Sequence, residues 1–405
     1  MKNKNADGLR GVAALNVALT HFIAAFLPAI LHKNYPAIFS VNPAPDTAFE
    51  LATSPLASLF YNGHFSVLIF FALSGYVLTL PYHAGDQGRP ALQQRLWGRY
   101  LRLNIPIVAA TLLSFAVYRL GLYTNVQAAA VSGSVIWLRS FFPAGITVSD
   151  ALREGLYGAI GYGDSTLVPP LWTLKIEFIG SLYVLGFYLV KPRAATLVPM
   201  LLAFLLLYAV HREESIYYYV IFIGATLGTV RLDARAKLAL LAAGLYFGCF
   251  QFESRAYDFL PTIHLHGTAL WEKKNFYNAL GALCLTAAIV QGFGRRFFEH
   301  GIVQFLARIS FSLYLLHFIV LCSLASWFYL HSPQQYLWLL ANFALYLAVC
   351  FLAAHLFETW VDRGAIRISH RFSARLFRGR AGAAGIPLDK ESQRDTGQVL
   401  SGEKR

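Results

Sequence analysis

Ionisable side chains are scarce in the apolar stretches of this sequence, so those that occur there carry the first chemical signal. The sharpest lies near the N-terminus: Asp7-Gly8-Leu9-Arg10, then ten residues, then His21. At about 100° per residue, the eleven helical steps from Arg10 return His21 to within about 20° of the same face, and at about 1.5 Å per residue they set it about 16 Å deeper. Asp7, three residues before Arg10, lies on that side too. An arginine at a membrane interface with a histidine on its stripe near the bilayer middle suits a base beside a bound anion. The structural alternative is a neutral histidine hydrogen-bonded within a bundle.

Arg95, Arg99 and Arg102 stand at i, i+4 and i+7 and share one helical face. Planar guanidinium forks suit phosphate oxygens, while ordinary anchoring at the inner membrane face is the bland alternative. In Leu171-Trp172-Thr173-Leu174-Lys175-Ile176-Glu177, a lysine and a glutamate enter an apolar run together. That points to a site, or to mutual neutralisation or helix packing. Ser310, Tyr314 and His317 form a polar stripe at i, i+4 and i+7, which marks a helix face turned toward other helices. Within Phe70-Phe71-Ala72-Leu73-Ser74-Gly75-Tyr76, the pair Ser74-Gly75 allows close approach of a ligand or of another helix.

The elements that must position these residues are membrane helices. Of the 405 residues 57% are hydrophobic and only 14% charged, with a mean hydropathy of +0.50. A water-facing surface needs more charge than that. With about 20 apolar residues needed per crossing, candidate spans are 11–31, 58–80, 103–120, 171–190, 195–210, 216–230, 236–251, 276–293, 308–328 and 336–360. The expectation is an all-α, polytopic transmembrane bundle of about ten spans. The first stretch is too long for a signal-peptide core and has no small-residue cleavage site.

Lysine and arginine set the orientation. With the N-terminus inside, the inner segments carry Lys2, Lys4 and Arg10; Arg89, Arg95, Arg99 and Arg102; Lys191 and Arg193; Arg231, Arg235 and Lys237; Arg295, Arg296 and Arg308. Outer loop 329–335 carries none. The apolar piece Val126 to Phe142 is interrupted by Arg139. A span there would invert every later loop, so 121–170 reads as outer, partly embedded structure, with a re-entrant or interfacial form left open. The formal charge of +13 owes much to arginines after Val361, read as a polybasic segment on anionic membrane lipid. No basic patch interleaved with aromatics lies outside the membrane portion, which argues against a nucleic-acid partner. Cys249, Cys284, Cys322 and Cys350 form no CxxC pair and read as apolar packing residues, with no metal site.

These segments, taken in order, resemble the membrane-bound acyltransferase 3 family, which includes polysaccharide O-acetylases. The matching pieces are DGLRGVAALNVALTHF at 7–22, FFALSGYVLTL at 70–80, RYLRLNIP at 99–106, LWTLKIEF at 171–178, ISFSLYLLHF at 309–318 and FETWVDRGAI at 357–366. Two positions depart from the family's Trp-Ser-Leu-x-x-Glu-Glu pattern: Thr173 replaces the serine, and Phe178 the second glutamate. The resemblance implies a membrane domain over 1–366 and leaves 367–405 as a basic, disordered cytoplasmic tail.

It also implies transfer of an acyl group, often acetyl, from cytoplasmic acyl-coenzyme A to a hydroxyl on a glycan or similar acceptor. The expected site follows. His21, with Arg10 and Glu177, is catalytic, the histidine taking the hydroxyl proton. Arg10, Arg99 and Arg102 hold coenzyme A phosphates, and Ser74 and Gly75 line the path of the pantetheine arm. Trp172, Tyr314 and His317 face the acceptor. Acyl-CoA is the donor substrate and no metal is needed. The implied location is a bacterial-type inner membrane with both termini cytoplasmic. The rival reading is a transporter or flippase of lipid-linked sugars, which would share a polar midplane and basic inner loops, though no paired internal repeat is visible.

Overall fold

The computed structural model describes residues 3–39, 47–83, 89–190, 197–265, 268–269 and 272–384. Among these the chain is helical apart from loops and a minimal antiparallel pair, His264–Leu265 with Thr268–Ala269. Its long helices are α1 (Lys4–Phe26), α2 (Gly63–His83), α3 (Arg89–Arg119), α4 (Asn125–Ser132), α5 (Trp172–Val190), α6 (Leu197–His211), α7 (Ser215–Thr226), α8 (Ala234–Gly248), α9 (Lys273–Val290), α10 (Gly301–Val320), α11 (Tyr336–Phe357) and α12 (Arg363–Ala384).

A helix occupies each stretch that the hydropathy marks as a span. Among the described residues five segments are long and apolar enough to cross a membrane: Lys4–Phe26, Gly63–Leu80, Leu96–Arg119, Gly301–His331 and Tyr336–Arg375. The chain is a membrane protein on that composition. The other five stretches hold α5 to α9, of 19, 15, 12, 15 and 18 residues. Lys175 and Glu177 lower the apolarity of α5, and Lys273 and Lys274 that of α9. Helices α6, α7 and α8 fall short of about 20 residues.

Small residues set how closely the helices cross. A Cβ on Gly8 would strike the carbonyl oxygen of Phe298, and one on Gly11 the backbone of Ala307, so α1 lies directly against α10 and its N-terminal approach. Asn3 caps α1, its side chain accepting from the N–H groups of Asn5 and Ala6 at 3.0 and 3.2 Å. Gly75 faces α7, where a Cβ would run into the Ile221 carbonyl, and Gly224 reciprocally meets Ala72. Gly75 is therefore a helix-crossing residue, not a residue of the expected donor path.

Two long helices continue through π turns. Leu321–Ala325 joins α10 to Ser326–His331, and Glu358–Asp362 joins α11 to α12. A π turn inserts one residue and so re-aims the side chains that follow it. The second one turns the buried carboxylates Glu358 and Asp362 inward. Helix α12 runs to Ala384, so the expected boundary between 366 and 367 falls inside a helix and the first part of the expected tail is ordered structure. Its small residues pay no steric toll: the Ser369 hydroxyl donates to the Gly98 carbonyl on α3 at 2.7 Å. Residues 385–405 of the expected tail lie outside the described residues.

The segment 121–170 resolves into short pieces. Val126–Phe142 contains only α4, eight residues or about 12 Å long, and a 3-10 turn at Leu138–Ser140. That is too short to cross a bilayer. The Ser134 hydroxyl fastens the piece to the end of α1 by donating to the Ala24 carbonyl at 2.7 Å. Farther on, the Glu154 carboxylate accepts from the backbone N–H groups of Thr166, Leu167 and Val168 at 3.0 to 3.1 Å. Those bonds fix the approach to α5.

Gly75→Ala should lower stability in detergent by about 1–3 kcal/mol, since the added methyl overpacks the α2–α7 crossing. Gly186→Ala, where a Cβ meets nothing within 4 Å, should be neutral or slightly stabilising. Paired thermal-unfolding curves check both; equal midpoints for the two variants would contradict the crossing.

Candidate active site

A cavity of about 640 Å³ opens among α2, α3, α5, α10 and α12, and its lining includes Arg10 of α1. Four arginines line it, Arg10, Arg99, Arg102 and Arg308, against two carboxylates, Glu177 and Asp362. Its volume falls in the range of small-molecule sites.

The carboxylates are committed to particular arginines. Arg99 Nη2 lies 3.2 Å from Glu177 Oε1, and the Ser74 hydroxyl donates to the same oxygen at 3.3 Å. Arg99 Nε donates to the Ser181 hydroxyl at 3.1 Å. Arg102 pairs with Asp362 and lays its guanidinium over the Phe311 ring, 5.5 Å from the centroid. Arg10 has only a loose pair with Asp7 at 3.4 Å. Among the described residues Arg308 has no carboxylate within ion-pair distance; its guanidinium lies 5.3 Å from the Phe305 ring centroid. The cavity's excess positive charge therefore rests on Arg10 and Arg308. The side chain of Arg95 lies outside the described ones.

Lys175 and Glu177 do not neutralise each other. Lys175 reaches Glu214, with Nζ 3.0 Å from both carboxylate oxygens, while Glu177 turns into the cavity. Glu177, expected as a catalytic residue, sits on Arg99.

The inner end of the cavity is closed by side chains of α2, α5 and α10. The Tyr314 hydroxyl lies 2.8 Å from that of Thr173 and donates to the Pro170 carbonyl at 3.2 Å. The Phe70 ring meets Tyr314 edge-on at 5.5 Å. Beyond this wall, one turn along α10, lies His317, its ring 6.0 Å from that of Tyr314. His317 is fully buried and its Nε2 is 2.8 Å from Nδ1 of His21. The two imidazoles stack at 5.1 Å and 10°. Trp137 of the 121–170 segment and Phe318 flank the pair, with centroids 5.5 and 5.2 Å from that of His21.

The structure thus brings Arg10, Ser74, Arg99, Arg102, Glu177 and Tyr314 to one cavity. It leaves His21 and His317 behind the Tyr314 wall, paired with each other. Trp172 is outside too, more than a third exposed, with its ring 5.9 Å from Tyr217. Among the ionisable lining residues, Arg308 and His370 lie outside every quoted motif, and Asp362 lies within FETWVDRGAI without an expected role. Asp362 has a sequence signal, a lone acid opening a run of arginines. Arg308 reads only as another inner-loop cation.

The family model of the acyltransferase domain matches residues 3–357. The chain belongs to the acyltransferase 3 family. That match runs through every helix lining the cavity except α12 and ends just before the π turn that carries Asp362. An acyltransferase of Cochliobolus lunatus, clz18, is 23% identical over 429 residues, covering 86% of this chain and 90% of the relative. The O-acetyltransferase PaAT-1 of Phomopsis amygdali is 25% identical over 372 residues, covering 77% of this chain and 70% of the relative. No solved structure matches the chain significantly. Of the two departures from the family pattern, Thr173 keeps the hydroxyl that meets Tyr314. Phe178 instead lies edge-on to Tyr100 at 6.4 Å.

Arg102→Ala should destabilise the protein by about 1–3 kcal/mol by leaving Asp362 buried without its cation, and Arg102→Ala with Asp362→Ala should recover most of that loss. A double-mutant cycle on thermal unfolding measures it. Purely additive effects would mean that the pair is not coupled.

Proposed function

We propose that the chain is a membrane O-acyltransferase that moves an acyl group, acetyl in the simplest case, from cytoplasmic acyl-CoA to a hydroxyl of a cell-surface glycan or similar acceptor. Membership of an acyltransferase family favours this over the transporter reading. One observation carries it furthest: a cationic cavity ends at Tyr314, one helical turn from a pair of histidines 2.8 Å apart.

In this reading the donor enters at the arginine end. Arg10 and Arg308, least engaged by carboxylates, take its phosphates, and Arg99 and Arg102 hold the walls through Glu177 and Asp362. Arginine suits this task because its fork makes charge-assisted bonds to phosphate oxygens. The pantetheine arm runs past Ser74 toward Tyr314. His21 is the general base. It accepts the proton of the acceptor hydroxyl as the oxygen attacks the thioester carbonyl, the carbon–sulfur bond breaks, and the proton passes to the leaving thiolate, so the products are an ester and free coenzyme A thiol. A thioester and a histidine suffice for this chemistry without a metal. For the acyl group to reach His21, the rings of Phe70 and Tyr314 have to move. The name of the Phomopsis relative supports an oxygen acceptor.

The same reading sets the protein in a bacterial-type inner membrane as about ten spans, with both termini cytoplasmic, on the strength of the lysine and arginine distribution. The exposed side of α12, Arg367, Ile368, Arg371 and Phe372, suits anionic lipid headgroups.

His21→Asn keeps some hydrogen bonding but cannot accept a proton near neutral pH. It should insert, bind acyl-CoA and lose about two to four orders of magnitude in turnover, read as thiol release from acetyl-CoA with acceptor present. Retention of more than about a tenth of wild-type turnover would remove His21 from the base role.

Arg10→Ala and Arg308→Ala should each weaken donor binding by about tenfold or more, as expected for one charge-assisted phosphate contact, and lysine should restore only part of it. Titration of acetyl-CoA into each purified variant checks this. Unchanged affinity in both would place the phosphates elsewhere.

A further inference from the structure

We infer that His317 is a positioning residue that fixes the tautomer of His21, and so decides which ring nitrogen of His21 is free to take a proton. The inference rests on the reading of His21 as the base.

A chain of hydrogen bonds runs outward from the backbone through both rings. His317 Nδ1 lies 2.9 Å from the Leu313 carbonyl, one turn back on α10. A carbonyl only accepts, so Nδ1 of His317 carries the proton. A neutral imidazole has one N–H, so Nε2 of His317 presents a lone pair. That lone pair faces Nδ1 of His21 at 2.8 Å, and His21 must therefore donate from Nδ1. Its Nε2 is left bare, as a base requires. A backbone carbonyl thus sets both tautomers through two rings in series.

The surroundings hold the arrangement. His317 is fully buried, and the two rings lie within about 10° of parallel with their facing nitrogens 2.8 Å apart. Phe318 and Trp137 restrict the His21 ring from two sides. When His21 takes up a proton on Nε2, the charge is shared toward Nδ1–H, whose partner is a neutral acceptor already in place. His317 therefore serves the protonated state as well as the neutral one. In a hydrolytic triad a carboxylate orients the base histidine in this way, and a wrong tautomer there is severely damaging. Here a neutral imidazole takes that position, which avoids placing an anion deep in the apolar body.

The side-chain amide of glutamine can present an oxygen near the position of Nε2, whereas that of asparagine reaches only the Nδ1 position. His317→Gln should keep more than about a tenth of wild-type kcat, and His317→Asn should lose about 10²-fold or more with the donor KM moving less than about threefold. Nitrogen-15 spectra of histidine-labelled protein, with His21 assigned by its loss in His21→Asn, should show a protonated Nδ1 and a bare Nε2 in the wild type. In His317→Asn the proton should move to Nε2. A wild-type His21 protonated on Nε2, or a His317→Asn variant with kcat above about a tenth of wild type, overturns the inference. If His317→Asn does not fold, the wild-type spectrum and the glutamine variant still decide. Failure of the base reading is separate: it shows as activity in His21→Asn, whatever His317 does.

Discussion

Charge placed among apolar helices must be met by opposite charge or by hydrogen bonds, and the site is arranged around that constraint. Arg99 and Arg102 enter the bundle from α3. Each meets one carboxylate, Glu177 from α5 and Asp362 from the π turn after α11. Those two pairs tie two separate stretches of chain to one face of α3, and Ser369 adds a third attachment at Gly98. The cavity is the space these attachments hold open. Pairing engages Arg99 and Arg102, while Arg10, held only loosely by Asp7, and Arg308 are the least engaged by carboxylates. The same residue type is therefore engaged to different degrees: Arg99 and Arg102 by carboxylates of other helices, Arg10 only loosely by Asp7 on its own helix.

Much of the frame is legible in the sequence because hydropathy is a property of single segments. Each apolar run becomes a helix, and Val126–Phe142, broken by Arg139, does not become a span. The Arg10 stripe, the Ser310–Tyr314–His317 face and the Arg99–Arg102 face all survive as helical faces. What is not legible is partnership. Lys175 and Glu177 are neighbours in sequence, yet each finds its partner on another element, because helical rotation sends them to different sides of α5. Gly75 beside Ser74 reads as one small-residue motif, but the two point apart, the serine into the cavity and the glycine into α7. Arg308 is silent because nothing in its local sequence distinguishes an anchor from a binding cation. The ordered start of α12 is hidden for a related reason. Its arginines read as tail, and only Ala365, Ser369 and Ser373, small residues spaced four apart, betray a helix packed on another.

The two histidines illustrate a limit of spacing arguments in a different way. Helical geometry sets Arg10 and His21 on one stripe, and both indeed face inward from α1. The interior they face is divided, however, because Tyr314, Thr173 and Phe70 fill the level between them. A face of a helix is continuous while the space beside it is not.

That partition bears on fidelity. A thioester is spontaneously reactive toward water, and an imidazole base nearby would hasten its loss. In the proposed reading, a thioester held at the arginines would be separated from His21 by the rings of Phe70 and Tyr314. On that reading, idle turnover, the futile discharge of an activated acyl group to solvent, would depend on how often Tyr314 leaves its two oxygen partners, so a single phenol hydroxyl would act as the latch on the enzyme's waste.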